Sequence, residues 1–195
     1  MQRPVNDLPD PARVLREREW AEQVRHSDVD AFEQLFRTYY RPLCTFAYGF
    51  VKSRDTAEEI VQSLFTRIWL RREEWVIRSD VRTYLYGATR NQALNAVKHV
   101  GVVKRLESKV QEDGEIPAWL GRPSATIDQE LDAESIWQAV AKLPERARLL
   151  LTLRWEQGMS YAEIAEIMGI TPKSVEIGKA RAVNMLRKLL APHLK

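Results

Sequence analysis

Apolar side chains return at i, i+3, i+4 and i+7 along nearly the whole chain, and the apolar–polar alternation of a half-buried strand is almost absent. A period of 3.6 residues gathers such side chains on one face of an α-helix, so the chain is expected to be all-α. Only 8 of its 195 residues are glycine, the residue that most weakens a helix interior after proline. With 45% hydrophobic and 29% charged residues it can bury a core and is not a disordered tail. Its length suits one medium domain or two small ones.

Start and stop signals divide the chain into two helical blocks. The first runs from about Pro11 to His99. A leading segment, Pro11 to Arg25, carries Val14, Leu15 and Val24 at helical spacing. A second helix starts near Ser27 or Asp28 and carries Phe32, Leu35, Phe36, Tyr39 and Leu43, with Pro42 expected to kink it. A third is expected to start at Asp55 as N-cap, with Glu58 three residues on completing a capping box, and to run through Ile60, Val61, Leu64, Phe65, Ile68 and Trp69. A polar loop, Arg72 to Ser79, follows, and Asp80 is placed to cap a helix over Val81 to about His99. Between about Gly101 and Asp128 the chain is broken by Gly101, Gly114, Pro117, Gly121 and Pro123, which reads as a flexible or extended linker.

The second block begins near Asp128 with a helix carrying Leu131, Ile136, Ala139, Val140 and Leu143. Pro144 ends it and introduces another that holds Leu149, Leu150 and Leu153, with Gly158 as its stop. Ser160 and Glu163 form a capping box for a short helix through Met168, closed by Gly169. Thr171 and Pro172 read as N-cap and first residue of a last helix, whose buried stripe is Val175, Ala182, Leu186 and Leu189.

Several function classes are excluded by what is missing. One cysteine, Cys44, allows no internal disulfide, and it lies in an apolar stretch expected to be core. The three histidines, His26, His99 and His193, lie far apart and near no cysteine, so no metal site is expected. No HExxH pattern, phosphate-binding lysine loop or nucleophile elbow occurs, so neither enzyme activity nor a cofactor is expected. Met1 to Asp10 has no apolar core of a signal peptide and no window approaches a membrane span, so a cytoplasmic location without membrane insertion is expected. The net charge of +3 is unevenly spread: residues 1–100 carry +2, residues 101–134 carry −4 and residues 135–195 carry +5. From Pro172 onward there are six bases and one acid, Glu176, and a local basic stripe matters more to nucleic acid than the total.

Three segments carry chemistry. Ser160 to Lys188 reads as short helix, glycine turn and longer basic helix, the helix-turn-helix pattern that sets its second helix in the major groove. Lys173, Ser174, Ile177, Gly178 and Arg181 lie off its buried stripe, and Ser160 and Tyr161 start the first helix where a phosphate can sit. The helix from Val81 mixes Tyr84 and Tyr86 with Arg82, Arg90, Asn91, Gln92, Asn95 and Lys98. Rings beside cations suit unpaired DNA, although an ordinary amphipathic helix reads the same way. The helix from Asp55 to Trp69 is either a protein-docking surface, with an aromatic anchor beside acids, or a well-buried core helix.

The order of these segments resembles the extracytoplasmic-function (ECF) sigma factors of bacterial RNA polymerase. The stretches DVDAFEQLFRTYYRPLCTFA, DTAEEIVQSLFTRIW, VRTYLYGATRNQALNAVK and LPERARLLLTLRWEQGMSYAEIAEIMGITPKSVEIGKARAVNMLRKL carry it. The SVE, IGKA and LR run is similar to the iron-citrate-type, Bacteroidetes-like branch. The resemblance implies four parts: an N-terminal extension over 1–25, a sigma region 2-like domain over 26–100, a linker over 101–127 that threads the polymerase channel, and a region 4-like helix-turn-helix domain over 128–195. It implies docking on the polymerase core through Asp55, Glu58, Glu59, Gln62, Phe65 and Trp69. It implies contacts to a melted −10 element from the Glu73–Ser79 loop and from Ser79, Asp80, Arg82, Tyr84, Arg90, Asn91, Asn95 and Lys98. It implies −35 contacts from Ser160, Tyr161, Thr171, Lys173, Ser174, Ile177, Lys179 and Arg181. The implied partners of a monomeric chain are core RNA polymerase, promoter DNA and a cognate anti-sigma factor. Tyr84 and Gly87 stand where the family often has tryptophan and isoleucine. A stand-alone helix-turn-helix regulator, dimeric on a palindromic site, is the alternative.

Overall fold

The computed structural model describes residues 10–77, 80–104 and 138–191, and every regular element among them is helical. The chain divides into two compact units. The first contains α1 (Pro11–Arg25), α2 (Val29–Val51), α3 (Arg54–Leu70), a 3-10 turn (Arg72–Glu74) and α4 (Val81–Lys104). The expected joint falls largely on residues 105–137, outside the described residues.

Short polar side chains set the helix starts. Asp10 caps α1 by accepting the Ala12 amide at 3.1 Å, and Asp28 caps α2 by accepting the Ala31 amide at 2.9 Å. Ser53, not Asp55, caps α3, its hydroxyl accepting the Thr56 amide at 3.3 Å. Asp55 instead lies in the first turn, where its charge offsets the helix dipole, and Glu58 accepts from Arg54 at 2.7 Å. Both Ser53 and Asp55 are good caps, and Ser53 is the one with extended backbone. Pro42 does not end α2, a helix of 23 residues that continues to Val51 with Leu43, Phe46 and Ala47 fully packed just past the proline.

The core of this unit is the meeting of α2, α3 and α4. Leu35, Leu43 and Phe46 of α2 face Val61, Leu64 and Phe65 of α3 and Leu85 and Tyr86 of α4, all buried. Burying each such side chain contributes roughly 1.5–3 kcal/mol. Tyr86 is core, not a base-stacking surface: it is fully buried edge-on to Phe46, with ring centroids 5.0 Å apart. Cys44 is core as expected, and burial pushes its thiol up to about 11, which leaves it unreactive.

The second unit has helical residues 138–141, then α5 (Glu145–Leu151), which continues as a π-helical turn (Thr152–Glu156), α6 (Tyr161–Met168) and α7 (Pro172–Leu190). The capping box at the head of α6 is present: the Ser160 amide donates to Glu163 at 2.7 Å and the Glu163 amide to the Ser160 hydroxyl at 3.2 Å. Gly158 (φ 61) and Gly169 (φ 64) supply the left-handed positions that end the segments before α6 and α7. Thr171 caps α7 with Pro172 at its first position. Leu143, Ala147 and Leu151 pack on Ala182, with Met185, Leu186 and Leu189 beside them. Gly178 serves this packing and is not an opening toward DNA: a Cβ there would lie 2.6 Å from Leu150 Cδ1.

Candidate functional site

Three surfaces carry the candidate residues. On α3, Asp55, Glu59 and Gln62 are exposed and Glu58 is half-buried. Trp69 is half-buried at the end of this face, 4.9 Å from the Phe32 ring and 4.7 Å below the Arg72 guanidinium. Phe65 does not belong to the surface; it is 2% exposed and packs edge-on to Phe36 at 5.0 Å. Leu70, 73% exposed beside Trp69, is an addition that sequence reasoning misses, because one apolar residue past the end of a buried stripe carries no signal of its own. The result is an acidic helix face ending in a tryptophan and an open leucine, a composition suited to protein docking.

The second surface centres on α4. Tyr84, Asn91, Asn95 and Lys98 are exposed along it, with Arg90 half-buried between them. Tyr84 lies 6.0 Å from the Trp75 ring, and the two belong to a cavity of about 260 Å³ that Arg67, Arg71 and Glu74 also line. Trp75 is 7% exposed and backs Tyr84 from inside, so the exposed Tyr84 ring and the Arg67 and Arg71 guanidinium groups are what the opening offers an unpaired base. Trp75 belongs to the expected Glu73–Ser79 loop, whereas sequence reasoning misses Arg67 and Arg71, since the end of α3 meets α4 only in three dimensions. Around Gly87 there is open space, with nothing within 4 Å of where a methyl group would sit. Ser79 lies outside the described residues.

Arg82 and Asp80 do not face outward. Arg82 is 6% exposed, and its Nε lies 3.9 Å from Asp80 Oδ2. The same Asp80 oxygen accepts from Arg13 of α1 at 3.3 Å, so the carboxylate serves an ion pair where a helix cap was expected. Arg13 also donates to Glu17 at 2.6 Å, and the Tyr39 hydroxyl donates to Glu17 from α2. Glu17 is 2% exposed and Tyr39 3%. Burial pushes the Glu17 carboxyl above its usual range, against the pull of Tyr39 and Arg13. Burial and the neighbouring Glu17 push the Tyr39 hydroxyl up as well.

The third surface is the helix-turn-helix of α6 and α7. Thr171, Lys173, Ser174, Ile177 and Arg181 are exposed on the first turns of α7. Glu176 is exposed among them and pairs with Lys173 at 2.8 Å; that pair holds the carboxyl low and the ammonium high. Three candidates are engaged elsewhere. Ser160 is 4% exposed and committed to the capping box. Lys179 is half-buried, donates to the Tyr161 hydroxyl at 3.1 Å and lies 5.9 Å from the Trp155 ring. Tyr161 is half-buried under Arg154, 4.9 Å away. Among the described residues no cluster of metal-ligating side chains occurs and no helix is long and apolar enough to cross a membrane.

Residues 35–102 match the family model Sigma-70 region 2, and residues 133–186 match Sigma-70, region 4. The chain is 25% identical over 159 residues to the RNA polymerase sigma factor YlaC of Bacillus subtilis, covering 82% of this chain and 91% of that one. It is 26% identical over 180 residues to the ECF RNA polymerase sigma factor SigW of the same organism, covering 86% and 93%. Its fold is similar to that of the sigma factor RpoE in complex with the anti-sigma factor NepR from Bartonella quintana, with a TM-score of 0.62 at 22% identity over 84% of this chain and 98% of that one. It is similar also to CnrH in complex with the cytosolic domain of CnrY, with a TM-score of 0.58 at 19% identity over 91% and 98%.

Proposed function

The chain belongs to the ECF sigma factors of the sigma-70 family and directs RNA polymerase to promoters for transcription initiation, and from that premise we propose how its residues divide the work. The carrying observation is that two unlike matched segments follow one another in one chain. The first combines an acidic docking face with an aromatic and basic cleft, and the second is a helix-turn-helix with an exposed basic start to its second helix.

Residues 26–100 bind core polymerase and the −10 element, 101–127 form the linker, and 128–195 read the −35 element. Asp55, Glu58, Glu59 and Gln62 meet basic groups of the polymerase, with Trp69 and Leu70 as the apolar anchor and Phe65 supporting that face from inside. Tyr84, backed by the buried Trp75, holds an unpaired base with Arg67 and Arg71, while Asn91, Asn95 and Lys98 follow the melted strand along α4. Arg82 and Asp80 support this surface from below. Lys173, Ser174, Ile177 and Arg181 meet the major groove, and Thr171 meets backbone phosphate. Lys179 and Tyr161 act as a pair at the edge of that interface, and Ser160 only as a cap.

The SVE and IGKA run supports placement in the iron-citrate-type, Bacteroidetes-like branch. Two structural neighbours are sigma factors held by anti-sigma proteins, which supports a cognate anti-sigma partner for this chain. The chain works as a monomer in the cytoplasm and performs no catalysis or cofactor chemistry of its own.

Footprinting of the holoenzyme tests the division of labour. The parent protects two separated elements and makes thymines near the start site reactive to permanganate. Tyr84→Ala keeps the upstream protection and loses the permanganate reactivity; Arg181→Ala weakens the upstream protection. A symmetric footprint from the free chain, without polymerase, would contradict the reading and favour the stand-alone regulator.

A further inference from the structure

We propose that α1 is a strut that positions the base-holding surface, by fastening the segment between α3 and α4 through Arg13, Glu17 and the α1–α2 connection. The inference rests on the reading of α4 as the −10 helix. Both ends of the segment from Arg72 to Arg82 are tied to α1 or to the residues just after it. At one end, Arg72 Nε donates to the Ser27 hydroxyl at 2.8 Å. At the other, Arg13 donates to Asp80 across 67 positions of sequence. Between these ties lies Trp75, and two residues beyond Arg82 lies Tyr84, the two rings of the cleft. The matched region 2 segment begins at residue 35, so α1 lies wholly before it.

The chemistry of the tie favours positioning over mere cohesion. Arg13, Arg82, Glu17 and Asp80 contribute two positive and two negative groups, with Glu17, Tyr39 and Arg82 almost wholly buried. Charges taken out of water lose hydration that their mutual attraction regains only in part, and apolar residues of the same volume usually hold a core at least as well. What directional bonds add is a fixed register: Arg13 reaches Glu17 and Asp80 together only when α1 and the head of α4 stand at one height and rotation. Leucines in their place would let the helices slide. Ala21 and Val24 of α1 already supply the apolar packing that keeps it on the unit.

The test uses the full chain in holoenzyme with Arg13→Met, Arg13→Lys and Tyr39→Phe. Three quantities are read: melting temperature, affinity for core polymerase, and affinity for a single-stranded −10 oligonucleotide. Arg13→Met lowers the oligonucleotide affinity by about tenfold, the size of one lost charged hydrogen bond, with core affinity within about twofold of the parent. Arg13→Lys, which keeps the charge, recovers most of the loss. Tyr39→Phe deletes only a hydroxyl and gives the same selective loss at about threefold should Arg13→Met fail to fold. Unchanged oligonucleotide affinity in the folded variants overturns the strut, as does a fall in all three quantities together or a lysine variant as weak as methionine. A parent holoenzyme with no affinity for the oligonucleotide overturns the reading of α4, and the strut with it.

Discussion

Gly87 sits in the middle of α4 with open space around it. Nothing in the packing requires its missing side chain, while an unbranched side chain would restrict the unfolded chain and favour the helix. Gly87→Ala is therefore expected to stabilise the first unit by about 1 kcal/mol, raising its Tm by about 4–8 °C in a thermal melt. Gly178 is different, because the added methyl meets Leu150 and that buried side chain must turn aside. Glu17 makes a prediction about pH. It faces Arg13 on its own helix, Tyr39 on α2 and Asp80 and Arg82 at the head of α4, and burial raises its pKa in the folded state. A carboxyl with a raised folded pKa contributes stability in acid that is lost as pH climbs from the ordinary glutamate value through the raised one. Glutamine does not titrate, so the Tm of Glu17→Gln relative to the parent is expected to rise as pH climbs above the ordinary glutamate value. A constant difference would mean that Glu17 titrates normally.

Helix ends are legible in the sequence and helix faces only partly so. The Ser160–Glu163 box, the Thr171–Pro172 start and the stops at Gly158 and Gly169 are local chemistry, and each stands where residue type places it. The start of α3 lies at Ser53, short of the expected Asp55, because two good caps stand two residues apart. Which face is covered depends on partners far away in sequence. Arg82 reads as a surface cation until α1 lies over it, and Lys179 reads as a DNA contact until Tyr161, 18 positions earlier, accepts its hydrogen bond. The cleft beside Tyr84 is half legible for the same reason: the loop that holds Trp75 is expected there, but Arg67 and Arg71 come from the end of α3. The two sides of α3 separate by mutation. Phe65→Ala empties a packed site and is expected to cost about 3–5 kcal/mol, seen as loss of the cooperative melt. Glu59→Lys, on the exposed side, should leave the melt unchanged and weaken core-polymerase binding about tenfold. Trp69→Ala supports docking only where binding is lost and the melting temperature is kept, because the ring also packs on Phe32.

On the proposed assignment, function at the scale of the whole molecule is divided between two small helical units that each offer DNA only part of an interface. The second unit exposes Lys173 and Arg181 on the first turns of one helix, a narrow basic surface for duplex DNA. The first offers a cleft for a base that duplex DNA keeps stacked, so melting must come before that contact. Specific affinity is therefore expected to appear only when polymerase holds both elements at once, as linked binding sites gain from effective concentration. The most direct measurement is run-off transcription with purified chain, bacterial core polymerase and a library of promoter fragments. The account predicts promoter-specific transcripts that vanish when this chain is omitted, and that vanish with Tyr84→Ala. Polymerase that binds the chain yet makes no specific transcript, while the chain alone binds duplex sites tightly, would contradict it.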